Sequence, residues 1–129
     1  MSDIHLFIDN RSGKAIYEQI YTQIRSLVLE GKLAPDEPLP SIRALARDLR
    51  ISVITTKRAY DELEKEGILY TVAGKGSFAA RQNREMLREQ NLVKIEEHLN
   101  EIRTLAAQCA LTRGDLHTML DLLWEDEER

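Results

Sequence analysis

Residues 39–58 read Leu-Pro-Ser-Ile-Arg-Ala-Leu-Ala-Arg-Asp-Leu-Arg-Ile-Ser-Val-Ile-Thr-Thr-Lys-Arg, and the fold follows from how this stretch is parsed. Pro40 has a fixed φ and no N–H, so it ends whatever precedes it. Ser41 is a helix N-cap residue, and Ile42, Leu45, Ala46 and Leu49 follow at helical spacing. A tight turn is predicted at 49–51. Ser52 then caps a second helix, with Ile54, Ala59 and Leu63 expected on its buried side. Two short helices joined by a tight turn, with the small Ala46 at the crossing, form a helix-turn-helix pattern. Within residues 41–60, Arg43, Arg47, Arg50, Lys57 and Arg58 stand against Asp48 alone. A compact basic two-helix unit suits docking on DNA. An ordinary helical hairpin with a solvated basic face fits the same residues.

The chain of 129 residues carries a formal net charge of −4, which at first sight opposes a polyanionic partner. The charge is unevenly placed. Residues 1–81 hold 12 Lys and Arg against 11 Asp and Glu, whereas residues 82–129 hold 6 against 11. The acid sits in the tail, and the local charge sets the field at a phosphate. No long apolar run or signal-peptide pattern occurs, so a cytoplasmic protein with no membrane contact is expected. The single Cys109 fits a reducing compartment.

Outward from the central stretch, residues 4–8 are apolar and extended, and a turn at 9–13 follows. Residues 14–31 read as a helix with Ile16, Ile20, Ile24, Leu27 and Val28 on one face, joined by Tyr17 and Tyr21; Gly31 suits its C-terminal cap. All three prolines lie in residues 32–40, a stiff connector into the two-helix unit. The second helix of that unit is expected over 53–66, ending at Gly67. Its first half is basic and hydroxylic (Thr55, Thr56, Lys57, Arg58) and its second half acidic. That order opposes the helix dipole, and a basic N-terminal half meeting phosphates explains it. After Gly67 the period changes. Residues 68–72 and 77–79 read as two strands around an Ala-Gly-Lys-Gly turn, a hairpin with Lys75 at its tip. The full G-x-x-x-x-G-K-[ST] phosphate loop is absent.

Residues 81–111 read as one long helix. Leu92, Ile95, Leu99, Ile102, Ala106 and Cys109 recur at alternating steps of three and four, a heptad-like seam. Thr112 and Asp115 form a capping box for a last helix bearing Leu116, Met119, Leu120 and Leu123. Two helices this apolar have little to cover within one small chain, so association with a second copy is expected. Cys109 reads as a small buried hydrophobe of the seam. His5, His98 and His117 are scattered, no His/Cys ligand cluster or nucleophile–base pair occurs, and no cofactor or metal is expected; the chain reads as a non-enzyme.

Tyr17-Glu18-Gln19-Ile20, Leu39-Pro40-Ser41-Ile42-Arg43-Ala44-Leu45-Ala46, Lys57-Arg58-Ala59-Tyr60-Asp61-Glu62-Leu63-Glu64-Lys65-Glu66-Gly67 and Gly74-Lys75-Gly76-Ser77-Phe78, in that order, resemble the GntR family of bacterial transcription regulators. The two-helix tail is similar to its YtrA subfamily. The resemblance implies a mainly α fold with a small β-hairpin: a winged helix-turn-helix over 1–80 and a helical dimerisation segment over 81–129. It implies a homodimer on a palindromic operator, and the function expected is that of a DNA-binding regulator, a repressor. By position it places Arg43, Ser52, Thr55 and Lys57 at DNA, with Gly74 and Gly76 at the wing tip. Together with the basic and hydroxylic residues read above, the DNA-facing set is Ser41, Arg43, Ser52, Thr55, Thr56, Lys57, Arg58, Gly74, Lys75 and Gly76. The dimerisation set is Leu92, Ile95, Leu99, Ile102, Ala106, Cys109, Leu116, Met119, Leu120 and Leu123. Three positions depart from the family pattern: Arg50 stands where glycine is usual at the turn, and Val53 and Lys57 stand where arginine is frequent. A winged-helix module that binds protein rather than DNA is the alternative. The sequence names no small-molecule effector.

Overall fold

The computed structural model describes residues 4–127. It contains five helices and one hairpin: α1 Ile16–Leu29, α2 Ile42–Leu49, α3 Val53–Glu66, β1 Leu69–Val72, β2 Gly76–Ala79, α4 Arg84–Gln108 and α5 Arg113–Glu127. The chain divides into two compact units between Gln82 and Asn83.

In the first unit the apolar stripe of α1 (Ile20, Ile24, Val28) closes with Leu45 of α2, Ala59, Tyr60 and Leu63 of α3, and Ile68, Leu69 and Ala79 of the hairpin. Burying each large apolar side chain contributes about 1.5–3 kcal/mol. Tyr60 brings a hydroxyl into this core, and it donates to the Pro40 carbonyl at 2.7 Å. Burial pushes the Tyr60 phenol well above its ordinary value. Ile54 departs from expectation. It is 81% exposed, and Thr56, at 0%, lies inside. At about 100° per residue Ile54 lies about 180° round the helix from Leu63. Thr56 is tolerated in the core because its hydroxyl donates to the Ser52 carbonyl one turn earlier, at 3.1 Å.

The hairpin pairs Leu69 with Ala79, Tyr70 with Phe78, Thr71 with Ser77 and Val72 with Gly76. The proline-rich connector does more than stiffen the approach to α2. It lies along the free edge of β2: Leu39 N–H donates to the Ser77 carbonyl at 2.9 Å, Asp36 N–H to the Ala79 carbonyl at 2.7 Å, and Ala79 N–H to the Glu37 carbonyl at 2.9 Å. The connector thereby supplies the partners that an open strand edge lacks.

The N-terminal segment lies on α1. Gln23 accepts from the Phe7 N–H at 2.9 Å and donates to the Phe7 carbonyl at 2.6 Å. One turn earlier Gln19 accepts from the Asp9 N–H at 2.7 Å and donates to the Asp9 carbonyl at 3.0 Å. Two glutamines four residues apart thus serve as a surrogate strand, and they hold Ile4, Leu6 and Ile8 against the core.

The second unit is a helical pair. α4 starts at Arg84, later than residue 81, because Asn83 is its N-cap and accepts from the Met86 N–H at 3.1 Å. Gln82 instead donates to the Gly67 and Ala80 carbonyls of the first unit. Ala110 takes a left-handed conformation (φ 58°) and lets the chain reverse. The Thr112–Asp115 capping box forms in both directions, at 2.9 and 3.1 Å. These bonds hold the Asp115 carboxyl below its usual range.

Candidate nucleic-acid interface

Ser41 and Ser52 open the two helices of the motif as N-caps. Ser41 Oγ accepts from the Ala44 N–H at 3.0 Å, and Ser52 Oγ accepts from the Thr55 N–H at 3.0 Å. The Ser52 hydroxyl itself donates to Thr55 Oγ1 at 2.7 Å. These bonds satisfy helix-end donors and fix where α3 begins. Between the helices Arg50 is left-handed (φ 57°, ψ 49°). Ile51 N–H reaches back to the Ala46 carbonyl at 3.0 Å, the 6→1 bond of a Schellman turn. The turn is therefore of the kind that glycine serves best, and arginine occupies it.

Leu45 and Ala46 turn inward, which leaves Arg43 and Arg47, one turn apart, exposed on the far side of α2. On α3 the buried face is Thr56, Ala59, Tyr60 and Leu63. The opposite face carries Ile54 near its centre, with Lys57 and Arg58 on either side. Both cations are engaged within the unit. Lys57 Nζ lies 2.7 Å from Asp61 Oδ2. The Arg58 guanidinium carbon lies 3.7 Å from the centroid of the Tyr17 ring, a cation–π contact. At the C-terminal end of α3, Glu66 accepts from Tyr21 Oη and from Arg25 Nε at 2.9 Å, which ties α3 to α1 a second time. That bond to Glu66 raises the Tyr21 phenol above its ordinary value.

The wing tip is built as the sequence suggests. Lys75 N–H donates to the Val72 carbonyl at 2.9 Å, and Gly74 (φ 78°) and Gly76 (φ 106°) take backbone conformations that a side chain would strain. The Lys75 side chain is exposed. Tyr70 and Phe78 stack beneath the tip with centroids 5.5 Å apart.

The first unit therefore presents Ser41, Arg43, Ser52, Lys57, Arg58, Gly74, Lys75 and Gly76 at its surface, with Thr55 half-buried. Thr56 is the correction. It is wholly buried and bonded to the backbone, so it belongs to the packing of α3. Two apolar residues at the start of α3 escape a reading by residue type: Val53 is 43% and Ile54 81% exposed. Helical phase relative to Leu63 is the signal in the sequence that finds Ile54.

In the second unit Leu92, Ile95, Leu99, Ile102, Met119, Leu120 and Leu123 are exposed. Leu99, Ile102, Leu116, Met119, Leu120 and Leu123 line an apolar groove of about 370 Å³. Ala106 is the exception within the seam. It is 6% exposed at the point where Leu111 N–H bonds back to its carbonyl, at 2.9 Å. It is already covered within its own unit. Cys109 is exposed rather than buried in the single chain. Among the described residues, no group of His, Cys, Asp and Glu is placed to hold a metal ion, and no helix is long and apolar enough to cross a membrane.

Residues 16–79 match the family model "Bacterial regulatory proteins, gntR family". The chain is 39% identical over 110 residues to the HTH-type transcriptional repressor YtrA of Bacillus subtilis, covering 85% of each protein. Several other curated relatives are longer, and the chain spans as little as 15% of one of them. Among solved structures, a protein described as a transcriptional antiterminator from Listeria monocytogenes superposes with a TM-score of 0.69 at 30% identity, over 97% of this chain and 93% of that one. The DNA-binding domain of AraR, solved with operator ORE1, superposes with a TM-score of 0.50 at 28% identity, over 60% of this chain and 94% of that one.

Proposed function

The chain belongs to the gntR family of bacterial regulatory proteins, and from that premise we propose that it is a cytoplasmic repressor that binds a palindromic operator in double-stranded DNA as a homodimer. The observation that carries this reading is the outer face of the helix-turn-helix, where Arg43, Arg47, Lys57 and Arg58 are all exposed while the acidic surplus of the chain lies beyond residue 82. Phosphates are met by such basic side chains, and base edges by the residues between them. AraR, which shares the fold of the first unit, was solved on an operator, and YtrA, similar over both units, is a repressor. Residues 1–80 thus form the DNA-binding part and 81–129 the part that joins two copies. The apolar groove between α4 and α5 supports the second assignment, since an exposed apolar surface of this kind gains by being covered.

The family consists of regulators, and the chain is not an enzyme. The reading is tested by selecting duplexes from a random-sequence pool with the purified protein and sedimenting the protein with and without them. Enrichment of an inverted repeat bound by two chains is expected. Failure to enrich any sequence would favour the winged-helix protein-interaction module instead.

A further inference from the structure

We infer that Ile54 is a specificity-determining residue that reads thymine through its 5-methyl group; the inference rests on the DNA-binding reading above. Ile54 is the most exposed of the large apolar side chains among the described residues, at 81%. It gains nothing for the fold there. It stands at the start of α3, two residues after the Ser52 cap, in the part of a recognition helix whose side chains reach base edges. Lys57 and Arg58 flank it on the same face, and α3 offers no other apolar partner on that face, since Val53, its half-exposed neighbour, lies toward the side of the helix.

A lone branched aliphatic group flanked by Arg58 and by Lys57, which pairs with Asp61 on the same face, does not match a second protein surface of ordinary composition, whose apolar contacts are grouped. It matches the major groove, where phosphates border each edge and the single apolar group on the floor is the thymine methyl. Isoleucine has neither donor nor acceptor. It therefore cannot read guanine, cytosine or adenine by hydrogen bonding, and it leaves their polar edges desolvated. The sense of the discrimination is fixed: thymine is favoured, and every other base at that position is penalised.

Deoxyuridine isolates the claim, because it differs from thymidine only by the missing methyl. A duplex selected by the wild-type protein from a random-sequence pool would be remade with deoxyuridine at each thymidine in turn. Wild type should lose about four-fold in affinity at the contacted thymine of each half-site, the equivalent of one buried methyl group. Ile54→Ala and Ile54→Ser should bind the thymidine duplex more weakly and show no difference between it and the deoxyuridine duplex. Both variants should keep the wild-type circular dichroism and melting temperature, because the side chain is outside the core. Equal wild-type affinity for the two duplexes, or a full methyl effect retained by Ile54→Ala, would overturn the inference while leaving DNA binding intact. Enrichment of no duplex at all would overturn the DNA-binding reading, and the inference with it.

Discussion

The Arg58 guanidinium on α3 sits over the Tyr17 ring of α1, 3.7 Å from its centroid. The pairing joins a residue of the proposed DNA surface to the helix that anchors the core. At an exposed site it should contribute about 0.5–1 kcal/mol. A double-mutant cycle with Tyr17→Leu and Arg58→Gln, read by denaturant unfolding, should give a coupling of that size. Strict additivity of the two changes would mean that the ring and the guanidinium are neighbours without attraction.

Arg50 occupies a left-handed turn position. That conformation costs a side-chain-bearing residue about 1–2 kcal/mol, and glycine's freedom in the unfolded chain offsets about 0.4–1 kcal/mol of the difference. Arg50→Gly should therefore stabilise the protein by about 0.5–1 kcal/mol, seen as a higher denaturation midpoint with an unchanged slope. A lower midpoint would show that the arginine side chain contributes more to the folded state than its backbone strain removes.

Lys75 stands between two glycines that have no side chains to keep a phosphate at a distance. Lys75→Ala should weaken binding to every duplex similarly, and the slope of log affinity against log salt should become shallower by about 0.9 for each phosphate that the lysine neutralises. A weakening confined to one base position, with the slope unchanged, would make the wing a reader of sequence.

Leu99 and Ile102 are both exposed and both line the apolar groove of the second unit. Leu99→Asp with Ile102→Asp should yield monomers, because association would bury two unpaired carboxylates per chain. The monomers should hold a two-half-site duplex much less tightly, since the half-sites are no longer bound by linked subunits. Sedimentation that shows an unaltered dimer would move the interface elsewhere.

Much of this is legible in the sequence because the relevant signals are local. Ser41 and Ser52 cap helices where their short polar side chains accept from backbone N–H groups three residues on, and Gly67, Gly74 and Gly76 stand where φ is positive. What residue type alone mishandles is the phase of α3. It sends Ile54 inward for being apolar and Thr56 outward for being polar. Helical geometry reverses both, and the Ser52 carbonyl satisfies the buried hydroxyl. Ala106 shows the limit of a seam read along one helix: the chain reversal at Ala110 that helps to cover it depends on a left-handed alanine that no composition rule foretells. The pairing of the proline-rich connector with β2 is likewise non-local, since it joins Leu39 to Ser77.

Arg43 tests the central claim, that the outer face of α2 and α3 reads DNA sequence. It is exposed on α2, on the side away from Leu45 and Ala46, so replacing it should leave the fold intact. A guanidinium can donate two parallel hydrogen bonds to guanine O6 and N7, whereas lysine offers a point charge. The measurement is a titration of wild type, Arg43→Lys and Arg43→Ala against the selected duplex, the same duplex with each half-site guanine changed, and random DNA. Arg43→Lys should bind random DNA nearly as wild type does, yet bind the selected duplex more weakly by about 1–3 kcal/mol for each guanine read. Arg43→Ala should lose affinity for all three. If both variants distinguish the three duplexes as wild type does, Arg43 is a solvated helix charge and the account of how this surface reads DNA is contradicted.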